Sequence, residues 1–329
     1  MTAPMDVPGA AARAVPEAVF TRAIGARSLR QISWLRLKRD RVAMAGGAVI
    51  LLLVVTAILA GILDRGFGVI PVGTFHQDLI DPDLQIPKAP FGGISPSHLL
   101  GIEPTNGRDL LARIFAGSWI SLLIAFVATM LSVAIGTLLG VLAGYFGGWV
   151  DTLISRLMDV FLAFPLLVFA LALAGVVPDR AFGLSGDLLR IALLIFIIGF
   201  FNWPYVGRII RGQTLSLRER EFIDAARSLG ARQSHILFRE LLPNLTAPIL
   251  VYSTLLIPTN ILFEAALSFL GVGVRPPTPT WGGMLSDATH YYQIDPEFML
   301  VPGLAIFVTV LAFNLFGDGL RDALDPRAR

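Results

Sequence analysis

EFIDAARSLGARQSHILFRELLPN, Glu221 to Asn244, stands between two of the most apolar stretches of the chain. A connection between such segments could be short and featureless, yet this one is long, Arg-rich and helix-patterned. Phe222, Ala225, Ala226 and Leu229 recur at spacings of three and four, the period of one helix face, while Arg220, Glu221, Asp224 and Arg227 fill the rest. Gly230 is the residue type that takes the left-handed conformation ending a helix. Arg232 to Leu242 is helix-patterned again, and Pro243 suits the first turn of a following helix. The pattern predicts two short helices meeting at an elbow. Small residues at Ala225, Ala226 and Gly230 let another backbone come close, and charged flanks suit a polar partner. A linker helix resting on lipid headgroups fits the same pattern.

Outward from the elbow the chain is strongly apolar. Of its 329 residues 55% are hydrophobic and 15% charged, with a mean hydropathy of +0.71, more apolar surface than a soluble domain hides. The class is an all-α polytopic membrane protein. Val42 to Leu63 is uncharged and long enough to cross a bilayer at ~1.5 Å per residue. Further runs lie within Ala116 to Val150 and at Val160–Val177, Ile191–Gly207, Leu245–Gly271 and Phe298–Gly317, giving six expected spans. The fourth is the shortest and contains Pro204. A net charge of +2 is too small to suggest nucleic acid as a partner, and the absence of Cys rules out disulfides and thiolate metal chemistry.

Charge placement orients the spans. Residues 1–41 hold eight Lys and Arg, and the 208–240 loop holds seven Arg. Asp64 to Arg113 has four basic against six acidic residues, and Arg275 to Glu297 has one against three. The positive-inside rule then puts both termini and the elbow in the cytoplasm and the other two segments outside. The expected organisation is a cytoplasmic tail and interfacial helix over 1–41 and a first span at 42–63. An outer loop over 64–115 follows, then a five-helix core over 116–318 that includes the 208–244 elbow loop, and a cytoplasmic tail over 319–329. Residues 1–28 read as a disordered tail without the marks of a signal peptide, so the first span is expected to be an uncleaved anchor. Arg30, Arg36, Lys38, Arg39 and Arg41 interleave with Ile32, Trp34 and Leu35, as in a short interfacial helix.

The elbow now carries a resemblance. Asp224-Ala225-Ala226, Gly230 after a three-residue gap, and Leu242-Pro243 are similar to the EAA loop of ABC importer permeases, whose Glu-Ala-Ala marks the coupling helix. GTLLGVLAGYFGGWVD (136–151), SFLGVGVRPPTPTWGGML (268–285) and FGDGLRDALDPR (316–327) resemble the permeases of dipeptide, oligopeptide and nickel importers, in particular the C-type subunit. The resemblance runs from about Arg30 to Arg327. It implies a type I ABC importer permease fold in a bacterial or archaeal cytoplasmic membrane, with Glu221, Asp224, Ala225, Ala226, Gly230, Leu242 and Pro243 coupling the chain to an ATPase. It also implies a second permease, two ATPase subunits that bind ATP and magnesium, and an extracytoplasmic binding protein. Asp224 keeps the charge of the family's Glu with one methylene less reach. Where the family has Leu-Gly-Thr-Asp, two residues, then Gly-Arg-Asp, this chain has Leu100-Gly101-Ile102-Glu103, three residues, then Gly107-Arg108-Asp109.

Inside the spans, Gly136, Gly140 and Gly144 form two small-xxx-small steps that clear one helix face for close packing. Glu264 lies deep in an apolar run, where a central acidic group costs roughly 2.5–3.5 kcal/mol and must face protein or water. Arg156 and Asp159 are placed to pair on one helix face. Polar residues that could line a pathway or join helices are Asn202, Tyr205, Ser253, Thr259 and Asn260, with Pro165, Pro204 and Pro258 able to bend their helices. His76, His98 and His290 fall on the outer side without metal-ligand spacing, so no metal site is expected.

No G-x-x-x-x-G-K-[ST] phosphate loop occurs, and neither Lys38 nor Lys88 precedes Ser or Thr, so the chain is not expected to hold ATP or act as an enzyme. An ion-coupled carrier using Glu264 and Asp159 is the opposing class, but no inverted repeat joins the halves and six spans are few for one. A membrane-embedded enzyme lacks any triad or metal spacing and any Gly-x-Ser-x-Gly elbow.

Overall fold

The computed structural model describes residues 29–67 and 72–324. The tail over 1–28 and residues 325–329 lie outside the described residues. Ten helices carry almost all of the regular structure. Helix α1 (Leu29–Arg39) is followed at once by α2 (Arg41–Phe67). Asp40 separates them because its Oδ1 accepts the Val42 and Ala43 amides at 2.9 and 3.0 Å, which caps α2 and stops α1. Leu37 then packs with Ala43 and Ala323, folding α1 onto the end of the last helix.

Residues 72–109 form a compact cap with short bridges at Ile80–Pro87, Ser95–His98 and Ile102–Asp109. Asp109 ends the cap and starts α3 (Leu110–Phe146), accepting the Ala112 amide at 2.8 Å. Gly147, at φ +65°, turns the chain into α4 (Gly148–Ala163). Pro165 pushes Phe164 into extended conformation and breaks the helix, so α5 (Leu166–Val176) leaves at 77° to α4. A small hairpin, β1 (Arg180–Ala181) and β2 (Leu184–Ser185), leads to α6 (Gly186–Arg218). Its base is tied by Asp179, whose carboxylate takes Arg190 at 3.0 Å and Arg275 at 2.9 Å and is held below its ordinary pKa by them.

The elbow helix α7 (Glu221–Ser228) comes next, then α8 (Gln233–Phe269), α9 (Trp281–Ala288) and α10 (Pro296–Leu324). Helices α2, α3, α6, α8 and α10 are each long and apolar enough to span a membrane, and the bent pair α4–α5 supplies a sixth crossing. Two spans differ from the sequence expectation. The third begins at Gly148, not Val160, because Asp151, Arg156 and Asp159 interrupt its apolar run; in the fold Asp151 pairs with Arg211 of α6, and Asp159 pairs with Arg208 of α6 and with Arg156. The fourth runs straight through Pro204 and past Gly207 to Arg218, so much of the Arg-rich loop is helix.

Helix α8 also starts earlier than Pro243 suggests. Its residues Ile236–Leu241 form a π turn, and this wider turn lets the helix pass a proline that has no amide to donate and whose ring crowds the preceding turn.

Candidate functional sites at the elbow and in the bundle

At the elbow, Gly230 takes φ +76° and the chain closes a Schellman cap. The Ala231 amide reaches Ala226 O at 3.0 Å and the Gly230 amide reaches Arg227 O at 2.9 Å. Beneath it Ile223, Ile236 and Leu241 form a buried cluster with Tyr145 of α3 and Leu217 of α6. The Arg227 guanidinium lies 6.0 Å from the Tyr145 ring and pairs with Asp224 at 3.1 Å. The elbow is therefore a rigid piece seated on the ends of two spans.

The helical period picked from the sequence marks the opposite face. Phe222, Ala225 and Leu229 are exposed, Leu229 at 88%, and only Ala226 of that set touches the buried cluster. The anchor is Ile223, which sequence reasoning passed over. Its signal was present: Ile223 and Ala226 are three apart, and they pack with Ala231, Ile236 and Leu237 beyond the turn. Glu221 and Asp224 are exposed, while Leu242 and Pro243 sit about two and a half turns into the continuous α8, where its π turn gives way to regular α-helix.

Gly136, Gly140 and Gly144 do what their spacing implies. A Cβ on Gly136 would lie 2.7 Å from Trp203 O, on Gly140 2.7 Å from Gly207 O, and on Gly144 2.8 Å from Arg211 O. Helices α3 and α6 thus run parallel and nearly backbone to backbone. Ser132 Oγ adds a hydrogen bond to Gly199 O at 2.8 Å, and Arg218 reaches Gly144 O at 3.0 Å.

The polar span residues divide. Asn202 donates to Asn260 Oδ1 at 2.8 Å, and Asn260 donates to Thr129 Oγ1 at 2.8 Å, a buried chain that links α6, α8 and α3. Ser253 bonds back to Ile249 O of its own helix at 2.6 Å. Thr259 is exposed, as is Tyr205 at 57%. Glu264 is fully buried; Ser268 Oγ donates to its Oε1 at 2.8 Å, and among the described residues Oε2 takes no hydrogen bond. Asp159 pairs with Arg156 at 3.6 Å as the spacing implied, and with Arg208 at 2.5 Å, which it did not.

At the cap end, Glu103 holds Arg108 through hydrogen bonds of 2.6 and 2.7 Å and lies 3.2 Å from Arg113. The residue added to this loop relative to the family pattern is taken up in a tight turn, where Thr105 has φ +67° and Gly107 N returns to Glu103 O at 2.9 Å. His76 and His98 stand edge to face at 4.8 Å, and His98 Nδ1 meets Asp109 Oδ2 at 2.8 Å. Among the described residues no group of three or more His, Cys, Asp and Glu side chains could hold a metal ion.

Such an architecture, with long apolar crossings, one broken span and a capped helix seated on two span ends, defines a membrane permease subunit of the importer type. Residues 136–329 match the family described as binding-protein-dependent transport system inner membrane component, and residues 28–85 match the N-terminal TM domain of oligopeptide transport permease C. The chain belongs to the family of binding-protein-dependent transport system inner membrane components. It is 40% identical to the glutathione transport system permease protein GsiD of Pectobacterium atrosepticum, over 90% of both chains. It is 39% identical to the dipeptide transport system permease protein DppC of Alkalihalophilus pseudofirmus, over 89% of this chain and 88% of that one. The fold resembles a chain of the MetNI methionine ABC transporter in an inward-facing conformation, with a TM-score of 0.53 and 19% identity, over 66% of this chain and 98% of the other. An ion-coupled carrier is set aside by this membership.

Proposed function

We propose that this chain is one of two permeases of an ATP-driven importer of small peptides, with its elbow seated on an ATPase subunit. The observation that carries this reading is the elbow itself. A Schellman-capped helix is anchored from below by Ile223 and leaves Phe222, Ala225 and Leu229 uncovered beside the Asp224–Arg227 pair. An apolar patch rimmed by charge suits a protein partner. In this arrangement the elbow end and both termini are cytoplasmic, and the cap end faces the binding protein. Two ATPase subunits bind ATP and magnesium, and their closure moves the elbow and with it the spans between inward-open and outward-open states. Glu221 and Asp224 supply acidic contacts at the rim, Gly230 sets the turn, and Leu242 and Pro243 stand where the π turn of α8 ends, tying the elbow to the span. The relatives named for dipeptide and glutathione transport support a small peptide as cargo.

The test is reconstitution of the chain with its partner permease, ATPases and binding protein, comparing wild type with Gly230→Pro. Proline cannot take positive φ and has no amide to give Arg227 O. Loss of binding-protein-stimulated ATPase and of uptake, in a complex that still assembles, supports the coupling role. Unchanged ATPase and uptake would leave the elbow a surface linker.

A further inference from the structure

The break between α4 and α5 opens a cavity that nothing above uses. It has a volume of about 290 Å³ and is walled by Phe161, Phe164, Phe201 and Phe263, with Tyr205 and Asn202 at its polar side. Its depth follows from α6. The apolar run of that helix reaches Gly207 before Arg208 opens the basic segment, so Phe201 to Tyr205 lie inside the membrane crossing, on the elbow side of its middle. A void at this depth holds lipid, a neighbouring protein or water with cargo.

Three observations favour the last. First, α5 begins with no side-chain cap, and its first hydrogen bond from the break runs from the Phe169 amide to Pro165 O. The amides of Leu166, Leu167 and Val168 have no intrahelical acceptor, and Leu166 and Leu167 line the cavity. Uncompensated backbone at membrane depth is tolerated only against protein or in a wet cavity. Second, Asn202 is spent on Asn260 only through its amide nitrogen, and its Oδ1 accepts nothing among the described residues. Third, a polar track leaves the cavity toward the elbow end. Tyr205 and Arg208 follow Asn202 at intervals of three on α6, and Arg208 meets Asp159 of α4 with both side chains about half exposed, at 53% and 50%. Half-exposed charges on crossing helices do not face lipid tails.

We propose that this cavity and the track through Tyr205, Arg208 and Asp159 are the chain's share of the translocation pathway, and that the cavity receives an apolar or aromatic side chain of the cargo. The phenylalanine walls take the side chain, the free amides of α5 donate to a cargo carbonyl or carboxylate, and Asn202 Oδ1 accepts a cargo N–H. Broken spans within the bilayer serve secondary transporters in this way. This inference rests on the peptide-importer reading above.

The chain has no cysteine, which makes the test direct. In the assembled importer, Tyr205→Cys and Leu167→Cys are treated with a charged, membrane-impermeant methanethiosulfonate, and labelling is read on this chain. Leu52→Cys on the exposed flank of α2 is the lipid-facing control. The expected result is rapid labelling at 205 and 167, little at 52, and slower labelling when alanyl-phenylalanine is being imported. Uptake that is intact while both cavity positions stay unlabelled overturns the pathway assignment and puts lipid or the second permease there. Labelling that the peptide does not slow overturns the cargo site. Absence of peptide uptake by the wild-type importer is instead a failure of the functional reading. As a second variant, Leu167→Trp fills the cavity and should lower the ratio of alanyl-phenylalanine to alanyl-alanine uptake about tenfold, the scale of discrimination by apolar pocket volume. An unchanged ratio counts against the cavity as the side-chain subsite.

Discussion

Arg108 donates two parallel hydrogen bonds of 2.6 and 2.7 Å to Glu103 across a tight turn of four intervening residues, both side chains almost wholly buried. Arg113 closes on the same carboxylate from the first turn of α3 and also reaches Pro277 O at 3.3 Å. One carboxylate therefore joins the cap, the first turn of α3 and the loop before α9.

Removing that charge leaves two guanidiniums buried without their counter-ion. Glu103→Gln should cost about 3–5 kcal/mol, the usual price of orphaning a buried ionic partner. Arg108→Lys should also destabilise, because an ammonium cannot reproduce the paired geometry. Thermal unfolding of the detergent-solubilised chain reads both; a wild-type midpoint for Glu103→Gln would show that the pair contributes nothing net.

The glycines of the α3–α6 contact are not equivalent to glycines elsewhere. Gly140→Val forces a side chain against Gly207 O, and overpacking of that kind costs about 1–3 kcal/mol or more. Gly212, on the same helix α6, has open space where its Cβ would be, so Gly212→Ala should be neutral or stabilising by up to about 1 kcal/mol. Melting temperatures of the two variants should move in opposite directions or differ by several degrees. Equal destabilisation would contradict the close approach.

The cap end should respond to pH through Asp295. Its side chain is buried just ahead of α10, and burial together with the neighbouring Glu297 carboxyl pushes it up to about 6 from an ordinary 3.8. The folded state then binds the proton more tightly than the unfolded chain. Stability should fall as pH rises from about 4 toward 6 and level off above that. Asp295→Asn should flatten this part of the profile and raise the melting temperature at pH 7.5. A wild-type midpoint independent of pH across this window would refute the assignment.

Ile223→Ala removes the elbow's anchor without touching its exposed face. Truncations of this kind cost about 2–5 kcal/mol when the site cannot collapse. Because the cluster is local, the expected readout is faster hydrogen exchange over 219–231 with the spans unchanged. Protection equal to wild type there would mean the Schellman cap alone holds the elbow.

The six crossings and the turn at Gly230 were legible because apolar run length and positive φ are properties of short stretches. The start of the third span was not, since Asp151, Arg156 and Asp159 look like loop until the fold brings Arg208 and Arg211 to the two carboxylates. The elbow face was misread for a related reason. Helix α7 is apolar on two sides, through Ile223 and Ala226 and through Phe222, Ala225 and Leu229, and periodicity reports both without saying which is covered. Gly136, Gly140 and Gly144 announced a close contact, but their partner on α6 is named by no local pattern. The Glu103 cluster escaped notice because its third member, Arg113, looks like an ordinary flanking charge.

Tyr145 and Leu217, on which the elbow rests, belong to the last turns of α3 and α6, the two helices locked along Gly136, Gly140 and Gly144. Two backbones in contact over that length form a strut stiffer than either helix alone. A load applied at α7 would travel along this strut across the bilayer, reaching Ser132 and Gly199 with little lost to side-chain rearrangement. The break in the spans lies elsewhere, at Pro165, where no helical hydrogen bonds carry a load from α4 into α5 and the push on the strut would not be relayed along a continuous rod.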